Sequence, residues 1–279
     1  MRRNRSRYFI KYSFFIFCLL ILISWIYIFI DTPENISKLF SLGNLKYFNR
    51  FLQRLFGKNE ENPAFFDVEM WQQALFLMGQ TFKMGISAIG IASIGMMIFV
   101  LPSARNIADG SLTLHKRWYY MLFYYISKSI FLITRAIPEL MWAMILIFIL
   151  KPGILPGAIA LGLHNMGVLG KLCGEVIEDM NEKSVQNMVL NGAGQLQLLF
   201  YGILPDIMPK FINYILYRFE NIIRATLIVG FVGAGGLGLQ FKLAMSYFKY
   251  SEILLYLLCY LFSVYITDII SAMVKKFIK

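Results

Sequence analysis

The sequence predicts an all-α integral membrane protein with about six transmembrane helices. Composition places it in the membrane: apolar residues make up 58% of the 279-residue chain, and mean hydropathy is +0.61, beyond the range of soluble domains. Spacing predicts the helices, because the apolar residues fall in runs of roughly 20, the length that crosses ~30 Å of hydrocarbon. Charge predicts the orientation. The net charge of +11 gathers at span ends, with Arg2, Arg3, Arg5, Arg7 and Lys11 before the first run and Lys275, Lys276 and Lys279 after the last. This is the positive-inside pattern, and it places both termini in the cytoplasm. It is not the basic stripe with stacking aromatics that marks a nucleic-acid binder.

The first span runs from about Tyr12 to Ile30. Its basic flank is that of a secretory signal, but the run exceeds a signal's apolar region and "DTPEN" follows where small cleavage-site residues would stand, so it is read as an uncleaved anchor. Residues 31–73 are mixed in charge. Within them "NLKYFNRFLQRLF" sets Leu45, Phe48, Leu52, Leu55 and Phe56 at helical spacing, with Lys46, Arg50 and Arg54 on other faces. This is an amphipathic helix lying either on the outer membrane surface or against the protein's own outer side. Residues 1–73 therefore form an anchor with an external segment, and 74–279 a membrane domain.

The second span, from Ala74 to Leu101, is rich in small residues, and Ala88 and Ala92 stand four apart, the spacing that lets helix backbones approach closely. Lys83 near its outer end snorkels to the interface. The polar stretch "PSARNIADGSLTLHKR" leads to an apolar run over 118–150 that is too long for one crossing. We read it as an interfacial helix over 118–133 followed by a crossing to Leu150, with Pro138 at a kink or first turn. Pro152 to Pro156 turn the chain into a fourth span, where Ala158 and Gly162, then Gly170 and Gly174, repeat the close-packing spacing. The fifth span follows Pro209, and the sixth runs from Ile253 to Val274.

Little in the chain points to metal or cofactor chemistry. Cys18, Cys173 and Cys259 are isolated, and His115 and His164 are its imidazoles, so no zinc site and no cofactor are expected. "VGAGGLG", residues 232–238, has G-x-G-x-x-G spacing. A dinucleotide site also needs an acidic residue about 20 positions on, and the nearest, Glu252, opens another apolar run. Gly233, Gly235, Gly236 and Gly238 are read instead as a turn at the extracellular end of the fifth span. No G-x-x-x-x-G-K-[S/T] loop occurs, so the chain is not itself an ATPase.

Residues 184–238, "SVQNMVLNGAGQLQLLFYGILPDIMPKFINYILYRFENIIRATLIVGFVGAGGLG", resemble the permease subunits of binding-protein-dependent ABC importers. Their cytoplasmic loop carries Glu-Ala-Ala, three residues, Gly, nine residues, then I-x-L-P. Gly192 takes the glycine position, followed by Ala193, and Leu204 and Pro205 fall at the expected distance. Gln186, Asn187 and Met188 replace Glu-Ala-Ala, and Gly202 replaces the isoleucine. "YGILP" and "YRFENIIRATLIVGFVGAGGLG" look like the phosphonate branch, as do "ARN" at 104–106, "RAIPELMWA" at 135–143 and "GAIALGLHNMGVLGKLCGEVIE" at 157–178.

The resemblance covers about residues 80–270 and implies the type I importer fold of the methionine-permease kind. It further implies a homodimer in the bacterial inner membrane, cytoplasmic ATPase subunits seated on the loop over about 180–209, and an external solute-binding protein that sets selectivity. Leu196, Leu198, Leu199 and Phe200 are the apolar residues expected to dock. The solute would be a phosphonate or related phosphorus oxyanion. Methionine is the alternative within the class, and an intramembrane enzyme the alternative outside it, although no G-x-S-x-G or H-E-x-x-H is present.

Ionisable residues inside spans face a bundle interior or a water-filled path. Glu220 and Arg224 are four apart on one helix face, Arg135 and Glu139 form a second such pair, and Arg218 lies on another face. The pairs are read either as ion pairs fixing helix positions or as a gate or anion-guiding lining, for which Arg218 and Arg224 are the candidates. His164 is read as a helix–helix hydrogen bonder.

Overall fold

The computed structural model describes residues 2–31, 42–58, 60–110 and 118–278, and every regular element among them is helical. The chain divides into two units, Met1–Glu60 and Glu61–Lys279. The first holds α1 (Arg2–Asp31) and α2 (Leu42–Leu55). In α1 the segment Ile10–Asp31 is long and apolar enough to cross a membrane, and none of it is buried. In α2, Leu45 and Phe48 share an exposed apolar face while Lys46, Arg50 and Arg54 lie elsewhere. Most of "DTPEN", His115 and Lys279 fall outside the described residues.

The second unit opens with α3 (Val68–Val100), which starts six residues before the expected Ala74 because Asp67 caps it, accepting from the Glu69 amide at 2.9 Å. There follow α4 (Arg105–Ala108), α5 (Trp118–Ala136), α6 (Glu139–Leu150), α7 (Ile154–Glu178), α8 (Glu182–Leu190), α9 (Leu204–Val229), α10 (Gly236–Ser246) and α11 (Tyr250–Ile278). Helix α9 begins five residues before Pro209, with Pro205 in its first turn, where a missing N–H costs nothing.

Helix α7 is the hub, on which α3, α5, α6 and α9 all pack. Its glycines make this possible. A Cβ at Gly167 would stand 2.6 Å from both the Arg135 nitrogen and the Phe131 carbonyl oxygen of α5, and one at Gly162 would stand 2.8 Å from Ile91 of α3. In lipid, where burial of apolar surface drives little, such backbone approach is what holds helices together. Two apolar cores result. One joins Met96, Phe131, Leu169, Cys173, Val185 and Phe211, and the other joins Met84, Ala88, Ala158, Leu161, Ile222 and Val229.

Three helical stretches among the described residues, Ile10–Asp31, Val68–Ala108 and Tyr250–Phe277, are long and apolar enough to cross a membrane, or five if each bent pair is one span. Against the expected six, α7 is not among them, because a helix enclosed by others carries glycine, His164, Asn165 and Lys171 in place of lipid-facing side chains. The 118–150 run breaks as expected at Ile137–Pro138, but the bend is 91°. Helix α6 alone, at twelve residues, rises only about 18 Å and is too short to cross.

Candidate functional site

The loop after α7 is a helical hairpin. Asn181 caps α8 by accepting from the Lys183 amide at 3.1 Å. At the other end Gly192 (φ +86°) reverses the chain, its amide donating to the Val189 carbonyl at 2.9 Å and the Ala193 amide to Met188 at 3.1 Å. Those two bonds are the Schellman termination, which requires a left-handed residue at this position. The chain returns through a π-helical turn, Leu198–Ile203, into α9 at Leu204 and Pro205. Val185, Leu198 and Ile203 are buried against one another's elements and hold the hairpin to the first core. Of the residues expected to dock, Leu196 and Phe200 are exposed, whereas Leu198 is buried and Leu199 half-buried. Leu190 and Tyr201 join the exposed set. Gln186 lies half-buried within α8.

The "ARN" segment meets the end of α7 just before this hairpin. The Arg105 amide donates to Glu178 Oε1 at 3.0 Å, Asn106 Nδ2 donates to the Ile177 carbonyl at 2.7 Å, and Lys128 Nζ of α5 reaches the same Glu178 oxygen at 3.4 Å.

Between the two cores lies a polar cluster. Arg218 of α9 donates from Nε to Asn165 Oδ1 of α7 at 2.7 Å, and Asn165 Nδ2 donates to the Leu161 carbonyl at 2.7 Å. His164 Nδ1 is 3.0 Å from the Ile137 carbonyl, which can only accept, so that nitrogen carries a proton. Its Nε2 is 3.3 Å from Glu139 Oε2. His164 thus pins the Ile137 carbonyl at the α5–α6 break, as a helix–helix hydrogen bonder would.

The two pairs expected from four-residue spacing are not formed. Arg224 turns to Asp268 of α11, with Nη2 at 2.9 and 3.2 Å from its two oxygens, and Glu220 turns to Lys275 Nζ at 2.7 Å. Helix α11 supplies opposite charges at these levels, so the interhelical partners win. Arg135 and Glu139 are separated by the break, and Glu139 faces His164. Asn165, Asp268 and Lys275 were not singled out as partners in the sequence, although a lone carboxylate inside an apolar run, such as Asp268, is itself a signal.

The glycine-rich segment forms a turn between two helices, with φ of +108° at Gly233, +85° at Gly235 and +66° at Gly236. Beyond it α10, which the sequence reading did not foresee, packs on α3, α9 and α11. A Cβ at Gly238 would meet the Leu227 carbonyl, and one at Gly236 would stand 2.8 Å from Thr81 Oγ1, which accepts instead from the Leu237 amide at 3.1 Å. The motif therefore closes a sharp 63° bend between helices, and no strand precedes it.

The family model described as "Binding-protein-dependent transport system inner membrane component" matches residues 110–279. A phosphite transport system permease protein of Stutzerimonas stutzeri is 30% identical over 217 residues, 78% of this chain and 74% of its own. A cryptic phosphonate transport system permease protein of Escherichia coli (strain K12) is 36% identical over 118 residues, 42% of this chain and 97% of its own. Among solved structures, the inward-facing MetNI methionine ABC transporter has a chain similar at TM-score 0.56 and 16% identity, covering 73% of this chain and 93% of that one. The fold is that of type I ABC importer permeases.

Proposed function

From the premise that this chain belongs to the family of binding-protein-dependent transport system inner membrane components, we propose that it is the permease subunit of an ABC importer for phosphonates or related phosphorus oxyanions. The observation that carries the reading is the Gly192 hairpin. The hairpin, with α8 terminated at Gly192 and with Val185 and Leu198 buried beneath it, presents Leu190 at the end of α8 and Leu196, Phe200 and Tyr201 of the returning segment outward, an apolar surface suited to a partner's groove. That partner is a separate cytoplasmic ATPase subunit. A second copy of the chain completes the pathway, an external solute-binding protein delivers the solute, and both termini lie in the cytoplasm.

The phosphorus oxyanion is supported by the phosphite and phosphonate relatives and by guanidinium groups, whose planar fork suits phosphoryl oxygens. Of the candidate path residues, Arg218 with Glu139 remains the better placed, in the polar cluster between the cores. Glu220 and Arg224 are committed to α11 and fix helix positions. The likeness to a methionine transporter is one of fold alone at 16% identity, and it gives methionine no support.

Uptake of labelled methylphosphonate into vesicles holding this chain with its ATPase and binding protein tests the reading, with phosphate, phosphite and methionine as competitors. ATP-dependent uptake blocked by the phosphorus oxyanions is the expected result. Competition by methionine alone, or no uptake from an assembled complex, would sink the solute assignment.

A further inference from the structure

A cavity of about 110 Å³ lies between α5 and α7, lined by Ser103, Lys128, Arg135, Lys171, Glu175 and Glu178 among others. We infer that this cavity is a binding site for a single phosphoryl oxyanion group, with Arg135 as its principal ligand. The identity of the free anion it would take rests on the importer reading above; the site itself rests on the following geometry.

Charge comes first. Three cations face two carboxylates. Lys171 and Glu175 are 3.7 Å apart, and Lys128 and Glu178 3.4 Å, so each carboxylate already has a lysine. Glu178 is further occupied by the Arg105 amide. Among the described residues Arg135 has no carboxylate in ion-pair reach, because Glu139, its neighbour by spacing, lies across the helix break against His164. A half-buried guanidinium left over in an apolar bundle is costly unless an anion or water completes it. Five donors in a planar fork match two oxygens of a phosphoryl group.

Shape comes second. The α5 backbone at Arg135 packs closely on α7, since a Cβ on Gly167 would stand only 2.6 Å from its nitrogen. The opposing wall includes Gly170 and Gly174. At Gly174 a Cβ would meet only Ser103 Oγ, at 3.3 Å, so the absence of a side chain there leaves the space open. The volume has room for several waters, and hence for one tetrahedral anion.

Phosphoryl oxygens reach such a cavity from two sources, a free phosphorus oxyanion or the phosphodiester of an anionic lipid. The test uses the purified full-length chain with its ATPase in lipid nanodiscs. In discs of phosphatidylcholine alone, equilibrium binding of labelled orthophosphate and methylphosphonate is measured. In discs that also contain phosphatidylglycerol, the lipid retained is counted by native mass spectrometry. The variants are Arg135→Gln, Lys171→Gln and Gly174→Val, the last filling the cavity without removing a charge.

Saturable oxyanion binding weakened about tenfold or more by Arg135→Gln, and also reduced by Gly174→Val, assigns the site to the free anion. Phosphatidylglycerol retained by the wild type and lost in Arg135→Gln assigns it to lipid. Binding of neither probe by the wild type, or binding unchanged in all three variants, overturns the inference. Should Arg135→Gln fail to fold, the other two variants decide. No ATP turnover is read, so an importer that proves to carry another solute leaves this measurement standing, and failure here leaves the uptake assignment untouched.

Discussion

Replacing Gly192 by alanine isolates a single physical effect. Nothing lies within 4 Å of a Cβ built at Gly192, so the substitution meets no clash and removes no contact. What it changes is the backbone, because φ there is +86°, and an L-residue with a Cβ pays roughly 1–2 kcal/mol to adopt the left-handed conformation. That strain falls on the two bonds closing α8, from the Gly192 amide to Val189 and from the Ala193 amide to Met188. Their opening equilibrium should shift by a factor of about 5–30. Hydrogen exchange followed by mass spectrometry on peptides spanning 187–197 reads it directly, as faster exchange at residues 192 and 193. The amount of ATPase subunit retained on the purified permease should fall in parallel. Gly192→Asn should recover most of the protection, since asparagine enters the left-handed region more easily than alanine. Wild-type exchange in the alanine variant, or an asparagine variant as unprotected as alanine, would refute the claim that helix termination is what the glycine provides.

Three further comparisons, drawn from five substitutions, test other parts of the arrangement. Arg218→Gln should abolish most uptake at unchanged assembly, whereas Arg224→Gln should cost less, because Arg224 is already held by Asp268; equal loss in vesicle uptake would contradict the distinction. Gly167→Ala forces a Cβ to within 2.6 Å of α5 backbone atoms and should destabilise by about 1–3 kcal/mol, while Gly90→Ala, with nothing within 4 Å, should be neutral or gain up to ~1 kcal/mol of helix propensity. Both are read as the temperature at which the detergent-solubilised protein loses its monodisperse elution peak. Glu178→Gln weakens the junction of α4, α5 and α7 beside the hairpin and should lower solute moved per ATP hydrolysed about two- to fivefold, with ATPase binding retained; an unchanged ratio would make the junction merely structural.

The long helices were legible because their signal is local, a sustained apolar run with charge at its ends. The α5–α6 break was legible for the same reason, since Pro138 disfavours a helical conformation at Ile137 before it. The bend angle was not, because it is set by what α6 packs on. Ion partners were misread for a related cause. Four-residue spacing shows that Glu220 and Arg224 can meet, but not that Asp268, 44 residues beyond Arg224, and Lys275, 55 beyond Glu220, would stand across the helix interface. Where water is scarce, a charge takes the counter-ion that satisfies it most completely, and the competitors come from elsewhere in the chain. The residues expected to dock divide similarly. Leu196 and Leu198 look alike in sequence, yet the hairpin folds back on its own core and keeps Leu198.

Glycine is where the limits of sequence spacing are sharpest, because one residue type answers two different demands. At Gly192 the demand is conformational, with a left-handed backbone and empty space around it. At Gly167 it is steric, in an ordinary helical backbone with the atoms of α5 at 2.6 Å. No spacing rule separates the two, but a pair of substitutions does. Asparagine should be milder than alanine at 192, where its tolerance of positive φ helps, and harsher than alanine at 167, where it only adds bulk against a backbone that cannot yield. If asparagine and alanine ranked the same way at both positions, the division of this chain's glycines into turn-makers and close-packers would be wrong. The Gly192 hairpin and the helix hub would then need a common explanation.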